Sequence, residues 1–127
     1  RQFALLDKLS NTYYETHGSS RDQDAIYYQV KNEIENLTTD KKHIAQLEKI
    51  VNEYKGDVMN ILRSEMTNLN EMDYRLLCFL FAGFSAKAIS VFTGDSTANI
   101  YMKKGRIKNK ISRLSPATAS YILERLG

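Results

Sequence analysis

Apolar residues recur along most of this chain in steps of three and four, the period of helices that bury one face. Leu6, Leu9 and Tyr13 follow this spacing between Phe3 and Tyr14, and His17-Gly18-Ser19-Ser20 interrupts it. A second run places Ile26, Val30, Ile34 and Leu37 on one face, with Tyr27 beside it, and closes near Thr38-Thr39-Asp40. Asp40 or Thr39 can cap the next helix by accepting a bond from an unpaired amide. Beyond it Ile44, Leu47, Val51, Tyr54, Val58 and Ile61 alternate steps of three and four, the signature of a helix-packing seam. Leu62, Met66 and Leu69 carry the stripe on, and part of it is expected to pack against Val30, Ile34 and Leu37 or against a second copy of the chain. Gly56-Asp57 lies inside the stripe, so the pattern fits one bent helix or two helices, with Gly56 as terminator and Asp57 as a new cap.

Asn70 with Asp73 three residues later marks the next start, a capping side chain followed by acids in the first turn. Tyr74, Leu77 and Phe81, with Leu76 and Leu80 alongside, form a helix that stops at Gly83. Ser85 caps a short helix over 86–92, in which Ile89 and Phe92 point inward while Ala88 and Ser90 permit close approach. Thr93-Gly94-Asp95 is a turn, and Ser96 caps a longer helix to about residue 113. There Ile100, Ile107, Ile111 and Leu114 share one face, which sends Thr97, Tyr101, Lys104, Gly105 and Lys108 outward to solvent or a ligand. Gly105 is about 1 kcal/mol worse than alanine inside a helix, so a close approach, of nucleic acid or of another helix, is expected there. Ser115-Pro116 opens a last helix, Ser115 as cap and Pro116 where no amide donor is lost, with Tyr121, Ile122 and Leu126 as its apolar side.

Charge adds what periodicity leaves out. Residues 1–69 hold nine Lys/Arg and eleven Asp/Glu, whereas residues 70–127 hold nine and four, so the overall +3 is a local property of the second half. From Lys103 to Arg113 there are six bases and no acid, a density that attracts phosphates. One proline, six glycines and no tryptophan argue against a loop-rich chain. The apolar window 76–84 is too short to cross a bilayer. Cys78, the single cysteine, lies among Leu77, Phe79 and Leu80 as small core filler. With no disulfide possible within the chain, a cytoplasmic location is expected. His17 and His43 have no cysteine nearby and no partner at ligand spacing, so neither metal nor cofactor is expected. Arg1 in place of methionine makes the chain read as a fragment of a longer protein.

A helix, a short turn and a second helix with a polar amino end and a basic body is the geometry that enters a major groove. The segment LNEMDYRLLCFLFAGFSAKAISVFTGDSTANIYMKKGRIKNKI resembles the helix-turn-helix of the LuxR/GerE class, through Leu69, Glu71, Gly83, Ser85, Lys87 and Ile89, then Ser96, Ile100, Ile107, Lys110 and Ile111. With KKHIAQLEKIVNEY ahead of it, the arrangement further resembles the C-terminal part of bacterial regulators that carry tetratricopeptide repeats and often a membrane helix upstream. The resemblance implies base-edge contact from Tyr101, Met102 and Gly105, and backbone contact from Ser85, Lys87, Ser96 and Asn99. Three positions depart from it: Ala88 replaces an acid, Asn99 a threonine and Lys103 a histidine, the last two still able to hold a phosphate. Charge adds Lys104, Arg106, Lys108 and Lys110 to the expected contacts.

The chain is therefore expected to be all-α, with a helical hairpin or coiled-coil-like linker and dimerisation region over 1–69 and a four-helix helix-turn-helix domain over 70–127. The expected function is that of a dimeric, double-stranded-DNA-binding transcriptional regulator whose reader helix spans about 96–113, with no membrane contact by this segment. The alternative is a dimerisation or protein-interaction module whose degenerate helix-turn-helix does not read DNA, since neither Tyr101 nor Met102 offers bidentate base recognition. No nucleophile motif, phosphate-binding glycine loop or paired metal-ligand motif points to an enzyme.

Overall fold

The structure, a computed structural model, describes residues 40–127. The helices expected over 3–14 and 26–37, and hence any hairpin they form, lie outside the described residues. Within them the chain is all-helical: α1 (Lys41–Tyr54), α2 (Val58–Glu65), α3 (Glu71–Phe81), α4 (Ala86–Thr93), α5 (Thr97–Ile111) and α6 (Pro116–Leu126). Central α3 packs on α1, α5 and α6, while α4 lies on α5 and α2 on α1. Among the described residues no helix is long and apolar enough to cross a membrane.

Caps set most of the boundaries. Asp40 starts α1 by accepting from the amides of Lys42 at 2.8 Å and His43 at 3.4 Å. Gly56-Asp57 resolves into a true break, both residues standing at φ 67°. The cap of α2, however, is not the expected Asp57: in its left-handed conformation that side chain makes no capping bond to the backbone and instead accepts from Asn60 Nδ2 at 2.8 Å. Asn52 Oδ1, in the last turn of α1, accepts from the amides of Met59 at 2.9 Å and Asn60 at 3.3 Å. One helix thus caps the next. Gly56 is required twice over, because its φ favours glycine and a Cβ there would stand 2.3 Å from Tyr121 Oη. The Tyr121 hydroxyl donates to Gly56 O at 2.7 Å, and Arg125 lies 3.5 Å over the Tyr121 ring, so α6 is fitted against the break.

Asn70 and Asp73 close a reciprocal capping box at 2.8 and 3.2 Å. Ser115 differs from expectation: it stands before Pro116, but its hydroxyl donates to Thr118 Oγ1 at 3.0 Å and leaves the helix amides uncapped by its side chain.

One core runs through the described chain and includes Leu47, Val51, Val58, Met59 and Leu62 from α1 and α2 together with Leu77, Phe79, Ile89, Ile107 and Ile122. Phe79, Phe84 and Phe92 meet at centroid distances of 5.0 to 6.0 Å near its middle, edge to face or tilted. The residues of the expected dimerisation seam take different places in it. Leu47, Val51 and Val58 are buried within the chain's own core, Ile44 and Ile61 are packed partly against it, and only Tyr54, 78% exposed, remains open. Among the described residues α1 packs on α2 and α3, while Val30, Ile34 and Leu37, one expected partner of the stripe, lie outside the described residues.

Arg63 fastens this assembly from outside. Its Nε and Nη2 reach Glu48 of α1 at 2.7 and 2.9 Å, its Nη1 reaches Glu71 of α3 at 3.0 Å, and its guanidinium lies 4.4 Å from the Tyr74 ring centre. The two carboxylates hold the guanidinium firmly charged, and Arg63 in turn lowers the Glu71 carboxyl below its ordinary range. Tyr74, pushed up chiefly by burial, donates its hydroxyl to Met66 O at 2.5 Å and ties the α2–α3 connection down.

Candidate nucleic-acid interface

Three residues, Gly94 to Ser96, join α4 to α5. Gly94 ends α4 at φ 77°, Ser90 Oγ donates to Asp95 O at 2.6 Å, and Thr93 Oγ1 donates to Ile89 O at 2.8 Å while accepting from the Asp95 amide at 3.2 Å. The turn is pinned from both sides. Each helix carries its expected serine cap: Ser85 accepts from the Ala88 amide and Ser96 from the Asn99 amide, both at 3.1 Å. The two hydroxyls named as backbone contacts are therefore already engaged in holding α4 and α5.

α5 buries Ile100, Ile107 and Ile111 completely or nearly so. Tyr101 and Met102 stand 64% and 65% exposed on the other side, Asn99, Gly105 and Arg106 are exposed, and Thr97, Lys103, Lys104, Lys108 and Lys110 are half-buried. Lys87 is exposed on α4. A Cβ on Gly105 would meet nothing within 4 Å, so no helix of the described chain accounts for that glycine.

The bases are not equivalent, and this the linear charge run conceals. Lys103 Nζ lies 2.6 Å from Asp95 Oδ2, Arg106 Nη2 lies 3.0 Å from Oδ1 of buried Asp73, and Lys110 Nζ donates to Asn68 O at 3.1 Å. Helical geometry puts these three on one flank of α5, the flank braced against the approach to α3. On the opposite flank lie Thr97, Tyr101, Lys104 and Lys108, and neither lysine has a carboxylate partner among the described residues. Met102 and Gly105 form the crest between the flanks. Fewer of the bases over 103–113 are thus without an acceptor among the described residues than the charge run suggests.

Asp73 and Asp95 escaped the sequence reading as neutralising partners. Their signal is rarity: with Glu71 and Glu124 they are the only acids after residue 69, so each stands out against the basic background. Among the described residues no group of three or more His, Cys, Asp or Glu side chains is arranged to hold a metal. Comparison with protein-family models, with curated proteins and with solved structures finds no match for this chain.

Proposed function

We propose that this chain is the DNA-binding part of a transcriptional regulator, with α4 and α5 acting as a helix-turn-helix similar to that of the LuxR/GerE class. The observation that carries the reading is the division of α5. Isoleucines anchor one side, ion pairs brace one flank, and the other flank carries exposed Tyr101 with half-buried Lys104 and Lys108, neither lysine paired with a carboxylate among the described residues. In this reading that flank and the Met102–Gly105 crest face the major groove, while Ser85, Lys87, Ser96 and Asn99 lie beside the phosphates. Lys103, Arg106 and Lys110 hold the helix and add to the positive field around it. Two copies act on paired half-sites, in the cytoplasm, as part of a longer signal-responsive protein.

Binding to random-sequence duplex across a salt series tests this. Neutralisation of four phosphates gives a log–log slope of about −3.6. Lys104→Glu lowers affinity for every duplex, whereas Tyr101→Ala changes preference among sequences more than total affinity. Unchanged duplex affinity in Lys104→Glu overturns the orientation.

A second reading rests on Tyr101 and Met102 themselves. Two large apolar side chains exposed on adjacent positions suit a protein partner as well as a thymine methyl. Under that reading the salt slope of duplex binding is near zero, and Tyr101→Ala abolishes capture of the partner instead.

A further inference from the structure

The braced flank of α5 does not end as it begins. Lys103 and Arg106 each meet a carboxylate, Asp95 and Asp73, which offsets their charge in place. Lys110, further along the same flank, donates instead to a neutral carbonyl, Asn68 O. An ammonium held that way keeps its full charge and two further N–H donors. Arg113, in the tight turn that follows the helix, is exposed, and its side chain has no ion pair or hydrogen bond among the described residues. These two bases line one cleft of about 230 Å³ between the end of α5 and the α2–α3 connection.

The other lining residues restrict what the cleft takes. Exposed Thr67 and Asn68 give it polar donors and acceptors, which suit an oxygen-rich group without a hydrocarbon tail. Glu65, exposed and without an ion pair among the described residues, also stands on the rim, so Lys110 and Arg113 against Glu65 leave a net charge of +1. A group with a single negative charge matches that balance, whereas a phosphate monoester, with about two charges at neutral pH, is repelled twice as strongly by Glu65. A phosphodiester has the single charge and the oxygens. Its source follows from the helix-turn-helix reading, on which this inference rests. A helix with its side chains is about 10–12 Å across and the major groove about 12 Å wide, so a helix seated there has a strand of phosphates along each flank. Tyr101, Lys104 and Lys108 lie along one strand. We infer that the backbone of the other strand passes the α2–α3 connection, with one phosphodiester seated in this cleft and accepting from Lys110 and Arg113. Glu65 weakens that contact by its charge.

Binding of the full chain to random-sequence duplex across a salt series tests the site through two exposed residues whose replacement leaves the fold within about 0.5 kcal/mol. Arg113→Gln is expected to lower affinity about eightfold at about 0.1 M salt, for every sequence alike, and to flatten the log–log slope by about 0.9. Glu65→Gln moves affinity the other way, several-fold tighter. Glu124→Gln, the same change of net charge placed on α6 outside the cleft, has a clearly smaller effect than Glu65→Gln. Should the parent chain bind duplex and Lys104→Glu weaken it while Arg113→Gln and Glu65→Gln bind like the parent, the cleft is no phosphate site and the helix-turn-helix reading stands. Equal tightening by Glu65→Gln and Glu124→Gln shows net charge acting without a local contact and also overturns the site. A parent chain with no salt-dependent duplex binding overturns both the reading and the inference built on it.

Discussion

Gly105 is a single residue whose two roles pull in opposite directions. Inside a helix and with nothing near its missing Cβ, it weakens the fold for no internal gain. Gly105→Ala is expected to stabilise the chain by about 1 kcal/mol, read as a higher melting temperature. If duplex DNA approaches the crest, the same variant binds it less well. Cys78 gives a second residue-scale outcome. It is fully buried, and desolvation pushes its thiol up to about 12. A group whose folded pKa lies above its unfolded one contributes stability that is present below the unfolded value of about 8.5 and lost as pH rises toward the folded one. Unfolding free energy should therefore fall from about pH 9 upward, and Cys78→Ala should flatten that slope relative to the parent chain. Tyr74, also shifted upward by burial, leaves a residual slope in the variant.

Between elements the α1–α2 break is the sensitive place. Gly56→Ala meets both a disfavoured backbone and the Tyr121 hydroxyl, so a loss of about 1 to 3 kcal/mol is expected in chemical unfolding. Asn52→Ala removes the acceptor of two α2 amides and is expected to cost about 1 to 2 kcal/mol, as loss of a cap does. The helices of 40–127 were legible because each carries a regular apolar face, and most starts because Asp40, Asn70, Ser85 and Ser96 cap where spacing predicted. The cap of α2 was not legible. Asp57 has the right chemistry in the right place, but its left-handed backbone aims the carboxylate elsewhere, and the substitute comes from the preceding helix. The seam of α1 was legible as a seam, but periodicity reports that a face is covered and is silent about what covers it, so the burial of Leu47, Val51 and Val58 in the chain's own core could not be read from spacing.

For the molecule as a whole, the ion pairs decide which bases are available, and they join residues too far apart in the chain for spacing to relate. Asp73 and Arg106, 33 positions apart, are the clearest case. Arg106→Ala is expected to cost about 1 to 2 kcal/mol, the worth of a charge-assisted bond discounted for a half-exposed guanidinium. Lys104→Glu should leave stability within about 0.5 kcal/mol of the parent. Urea unfolding of the two variants side by side checks the contrast between braced and open flanks. The same pair of contacts has a mechanical side. On the first turn of α3, Glu71 is held by Arg63, which also grips Glu48 of α1, and two residues on Asp73 is held by Arg106 of α5. Within three residues, that single turn is therefore tied through Arg63 to α1 and through Arg106 to α5.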